Sequence, residues 1–409
     1  MRPQAIVVGA GLAGSSAAER LVARGWQVDL IDRAAAPGEG ASGNLVGVMR
    51  PLPSLDDNRL SRLTHAAFTF ALQHFARLTA ENLPLRWAPS GVLHLGRDAA
   101  HVATQQRVVE ARQAAADVLR FVDREEASHL AGWPVALGGW WFPRAGWVNP
   151  ASLCRANVAR CGTAIRLHFG CQVAQIGEHG GLWSVRDAAG RVIAEAPVLV
   201  LANAVDARRF PVTGQLPLRS ARGQVSHLAA EADSSPQVVV CRLGYVTPAV
   251  DGVRCAGATF AVDDGEVGLR AADHAENLAR LDFILPGYSK ALVPAGIGGR
   301  VGFRPLAPDR LPMIGPIAAS ATIDPTAPAL PLGRLPRVPG LFLINGFGAR
   351  GIVWSALAGE LLASLICGEP PPLADDLVRA VDPGRFVLPG RSRRSQRSAT
   401  RLPSTPTAG

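Results

Sequence analysis

Lysine is almost missing from this chain: Lys290 stands alone among 42 basic residues, and the rest are arginine. Tyrosine is nearly as scarce, with only Tyr245 and Tyr288. The six cysteines, Cys154, Cys161, Cys171, Cys241, Cys255 and Cys367, form no CxxC pair. That spacing excludes the common zinc frameworks, and no metal site is expected. It suits reduced, mostly buried thiols in a cytoplasmic protein. No run of apolar residues is long enough to span a bilayer, so no membrane segment is expected. Glycine and proline are plentiful but follow no fixed period, which excludes a fibrous chain. The small apolar stretch at residues 5–18 is preceded only by Arg2 and contains a glycine motif, which argues against a secretory leader.

What is present is a globular composition. With 409 residues, 48% of them hydrophobic, the chain can bury a sizeable core and is expected to form two domains. The net charge is +9. A GC-rich genome would favour arginine, and so would attraction to a polyanion such as RNA; charge alone does not choose between them. Residues 389–409 are rich in Ser, Pro, Thr and Arg and are expected to be a disordered basic tail.

The N-terminus carries the strongest local signal. Residues 4–8 read as a strand, followed by Gly9-Ala10-Gly11-Leu12-Ala13-Gly14, an alanine-rich helix to about Arg24, and a second strand at 26–31 ending on Asp32. Gly9 permits the tight turn, Gly11 lets backbone approach a pyrophosphate, and Gly14 lets helix pack on strand. The helix N-terminus offers free amides to phosphate, and Asp32 can accept from a ribose. This unit binds a dinucleotide but does not by itself separate NAD from FAD.

Later segments favour the flavin. Small and hydroxyl residues at Gly40-Ala41-Ser42-Gly43-Asn44 can pass a cofactor close to backbone. Residues 57–79 read as an amphipathic helix, 91–95 as a strand, 101–119 as a helix and 151–161 as a helix behind Pro150. Trp140, Trp141 and Trp147 either line a pocket that stacks a planar ring or pack in the core. A β-meander at 173–190, a buried strand at 198–201, antiparallel strands within 224–260 and at 300–304, and a helix at 267–284 follow. A last strand at 341–344 ends in Asn345-Gly346-Phe347-Gly348-Ala349-Arg350-Gly351 and a helix to about Ile366. Such a helix N-terminus suits the pyrimidine edge of a flavin, where negative charge gathers on reduction. His65, His74 and His227 show no triad or metal spacing and read as helix-face or strand-surface residues.

The chain resembles the D-amino-acid-oxidase-type FAD oxidoreductases from residue 5 to 386. The resemblance is carried by the GAGLAG turn, FPRAGWVNPASL at 142–153, LVLANA at 199–204 and FGARG at 347–351. Within them it is most similar to the FAD domain of the bifunctional enzymes of tRNA 5-methylaminomethyl-2-thiouridine biosynthesis. That closer likeness rests on residues 40–44, on Arg222-Gly223-Gln224-Val225-Ser226, on Gly244-Tyr245-Val246-Thr247-Pro248, and on Val301-Gly302-Phe303-Arg304 through Leu311-Pro312-Met313-Ile314-Gly315. The resemblance implies an α/β (α+β) fold. A Rossmann-type FAD-binding domain would be made of residues 1–90, 148–210 and 300–386. A mixed, largely antiparallel-sheet substrate domain would be made of 91–147 and 211–299. It implies FAD as cofactor and tRNA as partner. The substrate would be a carboxymethylaminomethyl group on the wobble uridine, oxidised and hydrolysed to aminomethyl uridine and glyoxylate. The methyltransferase domain of those enzymes would precede residue 5. Methylation is then expected from a separate chain, or not at all.

The expected cofactor wall comprises Gly9, Gly11, Leu12, Ala13 and Gly14, then Asp32 and Arg33, then Ser42, Gly43 and Asn44. Val173, Ala202, Gly348, Arg350, Gly351 and Ile352 complete it. The expected catalytic residues are Arg304, whose planar fork would hold the substrate carboxylate, and Tyr245, whose hydroxyl would share it. A surface salt bridge for Arg304 and core packing for Tyr245 are the plain alternatives. So is a helix-terminus charge for Arg350. Two other functions stay open: a small-molecule amine or amino-acid oxidase or dehydrogenase, and a non-enzymatic flavoprotein subunit.

Overall fold

The computed structural model describes residues 2–292, 296–319 and 330–387; the expected basic tail lies outside them. Two sheets dominate. The first has six strands in the order Met313–Ala318, Arg337–Asn345, Val198–Leu201, Gln4–Val8, Gln27–Asp32, Ile165–Phe169. Every pairing in it is parallel except the antiparallel Met313–Ala318 edge. The apolar runs at Gln4–Val8 and Val198–Leu201 fit this position, because strands of a parallel sheet are covered on both faces.

One layer of helices covers that sheet. Helix Leu12–Val22 is buried nearly all round and crosses Gly351–Cys367 closely. A Cβ on Gly359 would come 2.7 Å from the Ser16 carbonyl oxygen. The Gly351–Cys367 helix with its preceding turn is, contrary to the expectation from the sequence, long and apolar enough to cross a bilayer. Twelve of its residues are buried against the sheet and the neighbouring helices, as a core helix requires. Helix Arg59–Ala80 is capped by the Asn58 side chain, which accepts from the Ser61 amide at 3.1 Å. It buries Leu63, Ala67, Phe68, Ala71, Phe75 and Leu78.

The second, nine-stranded sheet is mostly antiparallel. Its long members are Arg219–Ala229 and Gly298–Leu306, paired from Arg219 opposite Leu306 to His227 opposite Gly298. Gly298–Leu306 thus belongs to the large sheet, and the chain returns to the six-stranded sheet only after Leu306. Two small sheets, Gln175–His179/Leu182–Arg186/Val192–Ala196 and Gly47–Met49/Gly146–Val148/Trp87–Ala88, complete the fold. All six cysteines are free thiols, four of them buried.

Several elements differ from the sequence reading for physical reasons. The helix expected at 101–119 is Ala99–Arg112; it stops where Gln113 turns left-handed at φ 44. The helix expected from 267 begins only at Ala271, because the Glu266 and Gly268 carbonyls are turned onto the Arg222 guanidinium at 2.7 and 2.6 Å. The three tryptophans pack in the core or against it. Trp140 and Trp141 are buried, Trp140 against His94 and Phe142, with its indole N–H donating to the Gln105 carbonyl at 2.9 Å. None of the three lines the main cavity. His74 is not on a helix face in solvent but buried, between the Arg20 guanidinium and Asn157 Oδ1 at 2.8 Å each.

Candidate active site

A cavity of about 910 Å³ opens where the two large sheets meet. At one end is the glycine turn. Gly9 has φ 105, and a Cβ there would lie 2.6 Å from the Ala202 carbonyl oxygen. A Cβ on Gly14 would collide with the Gly9 carbonyl. Gly11 is the N-cap of Leu12–Val22 and offers no side chain, so the first-turn amides have no side-chain cap of their own. Ser42 supplies one from a distance: its Oγ accepts from the Leu12 amide at 3.0 Å. Asp32 braces the same turn, accepting from Ala10 N at 2.5 Å and Ala34 N at 2.8 Å.

Gly9, Gly11, Leu12, Ala13, Asp32, Arg33, Ser42 and Asn44 all line the cavity. So do Val173 and Ala202, which follow the strands Ile165–Phe169 and Val198–Leu201. Gly14 and Gly43 sit behind the wall instead, where their role is to let neighbouring groups approach. Arg33 is engaged by Asp206 at 2.7 Å. On the far side, Gly348, Arg350, Gly351 and Ile352 line the cavity at the start of Gly351–Cys367, whose N-terminus carries no side-chain cap. Burial pushes the Arg350 guanidinium down to about 10, helped by the like charges of Arg50 and Arg310.

The other end of the cavity is built on the large sheet. Tyr245 and Arg304 both line it. Arg304 forms no ion pair with any carboxylate among the described residues. Its one hydrogen bond there is from Nη1 to the Thr259 carbonyl at 3.3 Å. Burial lowers its pKa, opposed by Tyr245. Burial likewise raises the Tyr245 phenol, with the Cys255 and Cys241 thiols adding to the shift and Arg304 opposing it. Gly223 on the paired strand makes room for this arginine: a Cβ there would collide with the guanidinium.

Among the cavity residues that were not anticipated from the sequence are Arg300, Arg50 and His94. Arg300 donates to the carbonyls of Glu39, at 2.8 Å, and Gly40, and so clasps the 39–44 loop. Its alternation with Arg304 along one strand was a readable signal, since residues i, i+2 and i+4 share a face. Arg50 follows the strand Gly47–Met49, and His94 lies opposite Cys241 in the sheet, which in turn lies opposite Tyr245. Only the fold brings these two to the cavity.

The comparisons with known proteins fit this geometry. Residues 4–365 match the family described as FAD dependent oxidoreductase (DAO). The chain belongs to this family. As a member it is an FAD-dependent oxidoreductase with the mixed α/β fold expected from the sequence. Among its relatives is the tRNA 5-methylaminomethyl-2-thiouridine biosynthesis bifunctional protein MnmC of Aromatoleum aromaticum. The two are 58% identical over 384 residues, covering 94% of this chain and 60% of that protein. The MnmC protein of Azoarcus sp. is 54% identical, with 96% and 61% covered. The chain thus spans about three-fifths of the length of these curated relatives. Of solved structures, glycine oxidase from Bacillus cereus superposes with a TM-score of 0.75 at 18% identity, covering 91% of this chain and 99% of that one. L-proline dehydrogenase from P. horikoshii gives 0.76 at 18%, covering 94% and 98%. At such identities these two speak for the fold alone.

The residues present fit FAD. Two helix N-termini without a cap from their own N-cap residue face one cavity, and glycines stand where a Cβ would block the turn. The first-turn amides of Leu12–Val22 suit the pyrophosphate. Asp32, although braced, can accept further hydrogen bonds from a ribose, since a carboxylate oxygen takes more than one.

Proposed function

We propose that this protein oxidises the carboxymethylaminomethyl group of a wobble uridine in tRNA, releasing the arm as glyoxylate and leaving aminomethyl uridine. The observation that carries the reading is Arg304, a half-buried guanidinium without a carboxylate partner among the described residues, beside Tyr245 in the cavity of an FAD family member. A partly desolvated cation with spare donors calls for an anion, and the N–CH₂–COO⁻ arm brings one. The MnmC relatives, similar over almost the whole of this chain, support tRNA as its bearer.

The chemistry FAD supplies when bound is acceptance of a hydride from the carbon between amine and carboxylate, after which water hydrolyses the imine. The chain's own residues prepare that step. Arg304 fixes the carboxylate through its planar fork, and Tyr245 donates its phenolic proton to the same group. Holding the arm in one pose removes most of the orientational cost of reaction. Arg50, Arg300 and Arg350 also line the cavity, and like charge disfavours an ammonium there. The substrate amine is thereby kept neutral, with its lone pair free to assist hydride loss. Action on tRNA implies a cytoplasmic enzyme. A separately encoded methyltransferase working on the aminomethyl product is the further partner this reading adds.

The test is direct. Purified FAD-loaded protein, mixed anaerobically with tRNA bearing the carboxymethylaminomethyl group, is expected to lose its yellow absorbance and yield aminomethyl uridine by nucleoside mass spectrometry. Bleaching by glycine, N-methylglycine or D-amino acids but not by that tRNA would replace this reading with a small-molecule amine oxidase.

A further inference from the structure

Two large apolar side chains stand in the open at the lip of the cavity. Leu243 is 59% exposed and Phe260 is 48% exposed, and both line the cavity. Neither position is left to chance. Leu243 has φ 51, a left-handed conformation that disfavours a leucine. The turn that imposes it is closed by the Arg242 amide donating to the Gly244 carbonyl at 3.0 Å. The Arg242 side chain anchors the turn from below, donating to the carbonyls of Phe283 at 2.7 Å and Arg97 at 2.8 Å. One further guanidinium joins the two lips. Arg280 Nη1 donates to the Leu243 carbonyl at 3.4 Å and to the Ala258 carbonyl at 2.8 Å.

This lip adjoins the carboxylate site. The Arg304 guanidinium carbon is 6.0 Å from the Phe260 ring centroid. Its Nη1 bonds the carbonyl of Thr259, the residue before Phe260. Tyr245 follows Leu243 by two positions. A glycine-sized substrate has no ring to lay against such a surface, and a polar lip would serve it better. A modified uridine has both parts: a flat ring, and an arm of four single bonds from ring to carboxyl carbon, roughly 5 Å when extended.

We infer that Leu243 and Phe260 are a specificity jaw. They grip the pyrimidine ring of the everted wobble uridine while its carboxymethyl arm reaches Arg304. The inference rests on the tRNA reading above. A base must leave its stack to reach a buried site, and an aromatic face offers it a substitute stack that any base can use. In this scheme the jaw sets which carboxymethyl amines are accepted, and Arg304 sets that a carboxylate is required.

The experiment compares Phe260→Ala and Phe260→Trp with the wild-type holoenzyme on two probes: carboxymethylaminomethyl tRNA and N-methylglycine, which has the arm but no base. The readouts are anaerobic flavin reduction and, for N-methylglycine, its dissociation constant from the perturbed flavin absorbance. Phe260→Ala is expected to lower the preference for tRNA over N-methylglycine by about 5- to 100-fold, mostly through KM for tRNA. Phe260→Trp is expected to restore it. Leu243→Ala should shift the preference in the same direction by less. An unchanged preference in Phe260→Ala, with tRNA still oxidised by the wild type, overturns the jaw and leaves the proposed function standing. Failure of the wild type to oxidise the tRNA at all, while N-methylglycine still binds, overturns both.

Discussion

Arg222 and Arg304 sit on neighbouring, paired strands of the large sheet, Arg222 buried and Arg304 half-buried at the cavity. Their surroundings differ. Arg222 uses all three nitrogens: Nε on the Glu266 carbonyl, Nη1 on the Asp273 carboxylate, and Nη2 on the Gly268 carbonyl and Gln224 Oε1. Arg304 has one long bond to a carbonyl and an open cavity in front of it. The difference separates two uses of a cation drawn into a sheet. One is spent on holding the fold together. The other is kept in reserve, at a desolvation cost the rest of the fold must offset, for an anion that arrives later.

The comparison can be broken most sharply at Arg304. Arg304→Ala is expected to lower kcat/KM by about a thousandfold, on the order of 4 kcal/mol, since it removes one partner of a desolvated charge pair formed only with substrate. FAD content and melting temperature should stay at wild-type values. A large fall in melting temperature would make Arg304 a structural cation after all. Arg222→Met should do the reverse. Breaking a buried pair and leaving Asp273 without its partner is expected to cost about 3 kcal/mol of stability, seen as a lower midpoint in urea. The turnover of the molecules that remain folded should be nearly unchanged.

A smaller effect sharpens the contrast through pH. Arg20 is another buried arginine, and one of its acceptors is the neutral His74 ring at 2.8 Å. Burial pushes His74 down to about 4, and the Arg20 charge adds to the shift. The ring is therefore harder to protonate when folded than when unfolded. Its contribution is complete above pH 6.5 and is lost as pH falls below that value, amounting to about 2 kcal/mol by pH 5 and levelling off near pH 4. Urea melts at pH 8 and pH 5 measure it. His74→Gln should be less stable at pH 8 yet lose less on acidification; an identical pH slope would remove His74 as the cause.

What could be read from the sequence follows from what each part is made of. The cofactor end is mostly backbone, and backbone demands leave a mark in composition: Gly9, Gly11 and Gly14 stand in a fixed order because a Cβ at 9 or 14 would collide. Arg304 was legible because it shares a strand with a quotable pattern. Arg50 and His94 were not, because they reach the cavity from separate strands whose order across the sheets no local pattern encodes. The tryptophans left two readings open for a related reason. Trp140 and Trp141 are adjacent on one strand, Gly139–Phe142, so their side chains point to opposite faces and cannot both face one pocket. The late start of Ala271–Ile284 reflects a tertiary demand overriding local preference: carbonyls that would have entered the helix were claimed by Arg222.

Arg300 has one more consequence. It grows from a strand of the large sheet, yet its guanidinium holds the carbonyls of Glu39 and Gly40, and the same loop carries Ser42, which holds the first amide of Leu12–Val22. The latch on the cofactor's phosphate end is thus fastened from the opposite half of the molecule. Loosening this clasp, as in Arg300→Ala, is therefore expected to speed the loss of flavin while leaving the glycine turn untouched.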